Sequence, residues 1–472
     1  MDRRRFLHTA AGAGAAALAL HAGARAQARG LNVLLIVSDD LRDTVGCYGH
    51  PVVKTPHIDR LAARGVRFER AYAQYPVCNP SRTSFLTGLR CEQTGVVDNT
   101  TPFRAKLPDV VTMPQALRAQ GWYGASYGKI FHAAEADPER RARWLDVGRS
   151  WDEALMPTGT AAGRQGKTRD LTGGKLKWCV VGEMDGTDDD QPDGQSALRS
   201  IATIEAQTAA GRPWFVGAGF HRPHDPFLVP KRYFNLYPPD TLKLYRDPPD
   251  TSPALPLTMP GGAFAEAFAA FSDQDRLDFQ RAYYAGVSFM DAQVGRLLDT
   301  LDRLALWSRT VVILLGDNGY HHNERGWWNK NTLFERSCRV PLIIAAPGAQ
   351  AGGVCAGLVE LVDLYPTVAD YAGVAPPPRL AGQSLRPLLT DPRRPGREAA
   401  FTLVTRGARG WGQTVRTDRW RYTRWSDGGA ELYDETADRE ETRNLAADPR
   451  HSATVTELAG RLAALGPYKP PA

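Results

Sequence analysis

Leu31-Asn32-Val33-Leu34-Leu35-Ile36-Val37-Ser38-Asp39-Asp40 decides the fold. A continuous apolar run of strand length reads as a strand covered on both faces, the habit of a parallel sheet, and here it stops at two acids. Trp214-Phe215-Val216-Gly217-Ala218-Gly219-Phe220 repeats the pattern and stops at His221; Thr310-Val311-Val312-Ile313-Leu314-Leu315-Gly316 stops at Asp317-Asn318. A weaker run, Gly124-Ala125-Ser126-Tyr127, stops at Gly128-Lys129. Helical patterns at 113–120, 196–210 and 273–306 lie between them. Strands alternating with helices predict an α/β fold, a large and mainly parallel sheet flanked by helices.

In such sheets ligands bind beyond the carboxyl ends of the strands, where all these polar clusters lie. Asp39, Asp40, Asp317 and Asn318 offer oxygen ligands only, a set that suits calcium or magnesium rather than zinc. Asp pairs also form turns, but two pairs closing strands of one sheet point to a metal site. Gly128-Lys129-Ile130-Phe131-His132 and Gly219-Phe220-His221-Arg222-Pro223-His224 are the next clusters. Gly326-Trp327-Trp328-Asn329-Lys330 follows the Asp317-Asn318 loop, and its two tryptophans suit either a sugar platform or the core.

Tyr75-Pro76-Val77-Cys78-Asn79-Pro80-Ser81-Arg82-Thr83-Ser84-Phe85-Leu86-Thr87-Gly88 reads as a loop followed at once by a helix, with Asn79 as N-cap, Pro80 at the first turn and Gly88 at the exit. Cys78 then sits where backbone N–H groups converge and an anion is welcome. Arg82 returns to its side one turn later. Cys78-Asn79-Pro80-Ser81-Arg82 and its continuation closely resemble the signature of the type I sulfatases, a branch of the alkaline phosphatase superfamily.

That resemblance implies a formylglycine at position 78, made by a formylglycine-generating enzyme that reads Pro80 and Arg82. It implies one calcium ion held by Asp39, Asp40, residue 78, Asp317 and Asn318, and hydrolysis of a sulfate ester on a sugar or uronic acid. By the same resemblance Arg82 orients the formylglycine and Lys129 grips sulfate. His132 removes the proton that releases sulfate, His221 meets the leaving group or sulfate, and Lys330 assists the departing alcohol. Substrate contacts fall on Arg222, His224 and Trp328, and specificity on His321, His322 and Arg325. Asp39-Asp40-Leu41-Arg42, Gly46-Cys47-Tyr48-Gly49 and His221-Arg222-Pro223-His224 look most like the iduronate-2-sulfatase branch, although Asp317-Asn318 departs from the Asp-His form of the animal enzymes. The same features fit a phosphodiesterase or phosphonate monoester hydrolase of the superfamily, or a non-catalytic glycan-binding relative.

Residues 1–28 open with Arg3-Arg4-Arg5-Phe6-Leu7, continue as an Ala/Gly-rich stretch and end in small-residue cleavage sites, like a twin-arginine export signal. This predicts a periplasmic or secreted enzyme with no integral membrane segment after processing. The formal charge of +6 falls to about +3 once those residues, with four arginines and one aspartate, are removed, too mild for nucleic acid. Spacing pairs none of the six cysteines. Residues 31–378 are expected to form the catalytic domain. Beyond a Pro-rich boundary, 396–472 are expected to form an α+β subdomain of alternating antiparallel strands at 412–417, 420–425 and 431–434 and a helix at 452–465. The runs 159–174 and 237–260 read as insertions.

Overall fold

The computed structural model describes residues 31–133, 135 and 137–469, so the expected export signal lies outside the described residues. In chain order the strands are β1 (Asn32–Ser38), β2 (Val66–Tyr72), β3 (Tyr123–Gly128), β4 (Glu153–Leu155), β5 (Gly166–Asp170), β6 (Val180–Met184), β7 (Trp214–Phe220) and β8 (Phe227–Pro230). They continue as β9 (Thr310–Gly316), β10 (Arg339–Ala345), β11 (Gly353–Glu360), β12 (Ala400–Thr405), β13 (Trp411–Arg416), β14 (Trp420–Trp425) and β15 (Ala430–Asp434). Eight form the main sheet in the order β11-β2-β10-β9-β1-β7-β3-β4. β1 lies at its centre, parallel to β7 and β9, and only β10 runs against the rest. The α/β expectation is met.

The unbroken apolar sequence of β1 follows from this position. Leu34 and Ile36 face one core, shared with Phe279, Tyr283 and Val287 of the helix Asp273–Arg303; Val33, Leu35 and Val37 face the other, shared with Phe85 and Leu86. Each buried aliphatic side chain contributes roughly 1.5–3 kcal/mol, so neither face tolerates a polar residue. Along β1 polar side chains stand only at the two ends, Asn32 and Ser38, and the acids follow where it stops. There the ends are laced together: Asp39 N–H donates to Phe220 O (3.1 Å), Asp317 N–H to Ser38 O (3.2 Å) and Lys129 N–H to Gly219 O (3.0 Å).

Gly128 and Gly219 make this lacing possible. Gly128 adopts φ +82°, and a Cβ on either residue would collide with backbone, that of Gly219 or of Lys129.

A second sheet, β12-β13-β14-β15, is antiparallel, and the helix Ser452–Leu465 covers it through Leu458 and Leu462. Sequence reading finds β13 to β15 and misses β12. That strand is attached to the segment after β2: Leu403 N–H donates to Gln74 O (3.0 Å), Thr402 Oγ1 to Ala73 O (2.7 Å) and Thr405 N–H to Tyr75 Oη (2.9 Å). The small sheet thus buttresses the segment that leads into Cys78. In the run read as an insertion, β5 joins β6 and β8 in a third sheet. All six cysteines are free thiols.

Candidate active site

Cys78 opens the helix Cys78–Thr87, every residue of which is buried. The helix starts earlier than the sequence suggests. Val77 is the N-cap and supplies no side-chain bond, while Asn79 spends its amide on Asp98 O and Thr101 O, both at 2.8 Å. Gly88 ends the helix in the left-handed conformation expected of it, at φ +69°.

Around Cys78 the strand-end residues converge. Ligand atoms of Asp39, Asp40, Cys78 and His224 all lie within 4.8 Å of one another. Lys330 Nζ stands 3.0 Å from Cys78 Sγ and also donates to Asp40 Oδ1; Lys129 Nζ pairs with Asp39 Oδ2. Arg82, wholly buried, bridges two strand ends, with Nε on Asp317 Oδ2 (2.7 Å) and Nη2 on Asp39 Oδ1 (3.2 Å). Asn318 Nδ2 donates to Asp40 Oδ1 (2.8 Å), and Asp40 N–H to Asp317 Oδ1 (3.0 Å). Asp40 itself takes φ +62°, a left-handed conformation that Asp tolerates better than most residues, and Tyr283 Oη bonds its carbonyl at 2.6 Å.

Two oxygens at this centre, Asp40 Oδ2 and Asn318 Oδ1, are buried without a hydrogen-bond partner. A native interior rarely leaves such acceptors unsatisfied, and a hard cation satisfies both at once. The all-oxygen donor set from Asp39, Asp40, Asp317 and Asn318 therefore fits calcium or magnesium.

Electrostatics divides the roles. Burial works against charge on Lys129 and Lys330, but Asp39 and Asp40 outweigh it, so both remain ammonium ions. Burial and the charge of Lys129 push His132 down to about 2, which keeps its imidazole neutral, and its Nδ1 is buried without a partner. Burial and Asp39 push the Cys78 thiol up, so the unmodified side chain is a poor source of thiolate.

The two histidines after β7 face different acids. His224 Nε2 lies 3.6 Å from Asp40 Oδ2 and 3.9 Å from Asp39 Oδ2. His221 turns to Asp193 in the first turn of the helix Pro192–Ala209, which accepts the His221 N–H (2.8 Å) and lies 3.4 Å from its Nδ1. Among the described residues no ion pair or hydrogen bond joins His221 to Cys78, Asp39, Asp40, Asp317 or Asn318, and of the two histidines it is His224 that lies beside Asp39 and Asp40. Replacing His224 by Ala is expected to lower kcat/KM on a sulfate ester roughly 10²–10³-fold, and His221→Ala less than about 10-fold; steady-state kinetics on both variants checks this.

The other residues expected to meet substrate have partners within the protein. Arg222 is buried and its guanidinium donates to Leu228 O (3.0 Å) and His224 O (2.8 Å), which ties the loop together. Trp328 is 0% exposed, packed against Phe279 and His322 with Nε1 on Asn323 Oδ1 (3.1 Å), so it presents no face to a sugar. His321, His322 and Arg325 are held by Thr332, by the aromatic core and by Ser252 O. A pocket of about 300 Å3 over Lys330 and His224 is lined by Trp327, read from the sequence as sugar platform or core, and by Asn99, Trp178 and Phe264, which the sequence does not single out. Trp178 and Phe264 come from stretches 86 residues apart that stack at 5.3 Å, a proximity no local motif announces.

Comparison with known proteins agrees with this centre. The family model described as Sulfatase matches residues 31–374, and the model N-sulphoglucosamine sulphohydrolase, C-terminal, matches 323–466. Iduronate 2-sulfatase of Mus musculus is 34% identical over 401 residues, covering 74% of this chain and 70% of that protein. A solved structure described as bound to its substrate D-glucosamine-2-N,6-O-disulfate superposes with a TM-score of 0.72 at 21% identity, covering 92% of this chain and 97% of the other. The phosphonate monoester hydrolase of Agrobacterium radiobacter shares the fold with a TM-score of 0.75 at 24% identity, covering 92% and 95%. Matched along most of its length and carrying the acids, lysines and cysteine in one crevice, the chain belongs to the sulfatase family and is a sulfuric ester hydrolase.

Proposed function

We propose that this chain hydrolyses sulfate esters carried by a sugar or uronic acid, with a formylglycine made from Cys78 and one calcium ion. The observation that carries the reading is the convergence of Cys78 Sγ with Asp39, Asp40 and His224, with Lys330 Nζ at 3.0 Å. A relative named for iduronate and a fold neighbour named with a sulfated glucosamine support a sulfated carbohydrate as substrate.

Asp39, Asp40, Asp317 and Asn318 would hold the ion, which supplies positive charge to a sulfuryl oxygen. A hydrated aldehyde at position 78 supplies two hydroxyls on one carbon, one to attack sulfur and the other to expel sulfate by C–O cleavage, where a simple alcohol would remain sulfated. The chain's own residues do the rest. Lys129 and Lys330 neutralise the sulfuryl oxygens from two sides, at a centre the charge does not have to be assembled to meet. His224 donates a proton to the departing alcohol oxygen. Neutral His132 accepts a proton at Nδ1 from the residue-78 hydroxyl that releases sulfate. Arg82 holds the two acid loops in register with the helix that carries residue 78.

Residues 1–28 are proposed as a twin-arginine export signal that delivers the folded, modified enzyme to the periplasm or beyond, and 31–378 and 396–472 as catalytic domain and C-terminal subdomain. Mass spectrometry of the peptide containing residue 78, from cells with a formylglycine-generating enzyme, is expected to show aldehyde in place of thiol. Chelation is expected to abolish turnover of a sulfated uronate disaccharide and calcium to restore it. An intact thiol in fully active enzyme ends the proposal; preference for a phosphonate monoester over every sulfate ester moves the substrate to the phosphonate hydrolase class.

A further inference from the structure

Behind the loops that carry Asp40 and Lys330 lies a cavity of about 610 Å3 that shares no lining residue with the pocket over Lys330. Its volume is that of a small-molecule site. The charges in its wall are spent on one another: Arg42 bonds Glu324 Oε1 (2.8 Å) and Asp43 Oδ1 (3.1 Å), and Arg336 bonds Asp43 Oδ2 (3.2 Å). Lys243 stands exposed at the rim.

What the wall leaves unspent is neutral. Gln280 and His322 line the cavity, 7% and 5% exposed, and Gln280 Oε1 and His322 Nε2 are buried without a hydrogen-bond partner. Gln280 Nε2 donates to Tyr284 Oη (2.7 Å), which leaves the phenolic proton to give. His50 Nδ1 accepts from Val53 N–H (3.1 Å) and Val52 N–H (3.3 Å), which puts the ring proton on Nε2 as a further donor. The His50 and Tyr284 rings meet edge to face at 5.1 Å and add an apolar edge. A hydroxyl both donates and accepts, so neighbouring hydroxyls on a ring satisfy an acceptor such as Gln280 and donors such as Tyr284 and His50 together. An anion would find Arg42 and Arg336 already paired and would face Asp43 and Glu324, while the charge of the exposed Lys243 is screened by solvent.

We propose that this cavity is a second ligand site, separate from the sulfate-ester centre, that takes a small neutral polyhydroxylated molecule of monosaccharide size. Titration calorimetry of D-glucose into the full-chain enzyme, with inorganic sulfate saturating the centre around residue 78, is expected to give millimolar binding. Gln280→Leu and His50→Phe are each expected to weaken it about 10-fold or more, the value of a lost buried hydrogen bond, while kcat on a sulfate ester is unchanged. Two variants guard against a folding failure of one. Equal heats from wild type and both variants, absence of binding to wild type, preference for glucuronate over glucose, or ordered water alone in crystals soaked in D-glucose would each overturn the proposal.

Discussion

Replacing Cys78 by Ala is expected to lower kcat on sulfate esters by about 10⁴-fold or more, with stability reduced by only about 1 kcal/mol. The asymmetry follows from position. Cys78 is wholly buried at the start of a helix whose own packing rests on Phe85 and Leu86, so losing one sulfur costs a small cavity and one hydrogen bond from Lys330 Nζ, which keeps its partner Asp40. Chemically it removes the only group 3.0 Å from Lys330 Nζ able to become a nucleophile. Cys78→Ser is the sharper version: its hydroxyl, if left unconverted, can receive a sulfuryl group but has no second hydroxyl to expel it, so at most one equivalent of alcohol is released and the protein gains the mass of one sulfuryl group. Kinetics, thermal unfolding and intact mass on the two variants test this together. Turnover by Cys78→Ala within tenfold of wild type would remove residue 78 from the reaction and with it the formylglycine mechanism.

Much of this centre was legible because its residues end strands that had no other reason to be polar. The β1 run had to stop at Asp39-Asp40 and the β9 run at Asp317-Asn318, and adjacency of parallel strands then brought the four together. What was hidden depended on tertiary detail. His224 N–H bonds His221 O (2.8 Å), a turn that reverses the chain and points the two histidines to different cavities, and a spacing of three residues does not say which one faces the acids. Trp328 was legible as aromatic but not as core, because its neighbours Phe271 and Phe279 lie 57 and 49 residues earlier in the chain. Asn79 had the chemistry of a cap but found stronger use in Asp98 O and Thr101 O. β12 lay beside a Pro-rich stretch and was masked by it, although Thr402 and Leu403 tie it to residues 73 and 74.

Arg82→Leu is expected to cost roughly 3–5 kcal/mol of stability and to abolish measurable turnover, the largest structural effect of any single change at this centre. The guanidinium is 0% exposed and serves four partners at once: Asp317 Oδ2, Asp39 Oδ1, the Lys129 carbonyl and the Ile130 carbonyl at 3.2 Å. Leucine matches much of the volume but leaves two carboxylates in the interior with one counter-charge fewer. Lysine should not rescue the loss, since a single ammonium cannot span two acids and a carbonyl in the planar geometry the fork provides. The pH dependence separates this from a packing defect. Burial, against the pull of Arg82 and with the push of Asp39 and Asp40, already raises Asp317 to about 6, and removing Arg82 raises it further. A carboxyl whose folded pKa lies above its unfolded value takes up protons on folding, so its penalty is present at higher pH and fades as pH falls through the folded pKa. In calcium-free buffer the deficit of Arg82→Leu relative to wild type is therefore expected to be smaller at about pH 5 than at about pH 7.5, measured by denaturant unfolding at both. A deficit independent of pH would mean that Arg82 supports the fold by its bulk, and that the two acid loops do not depend on its charge to share one centre.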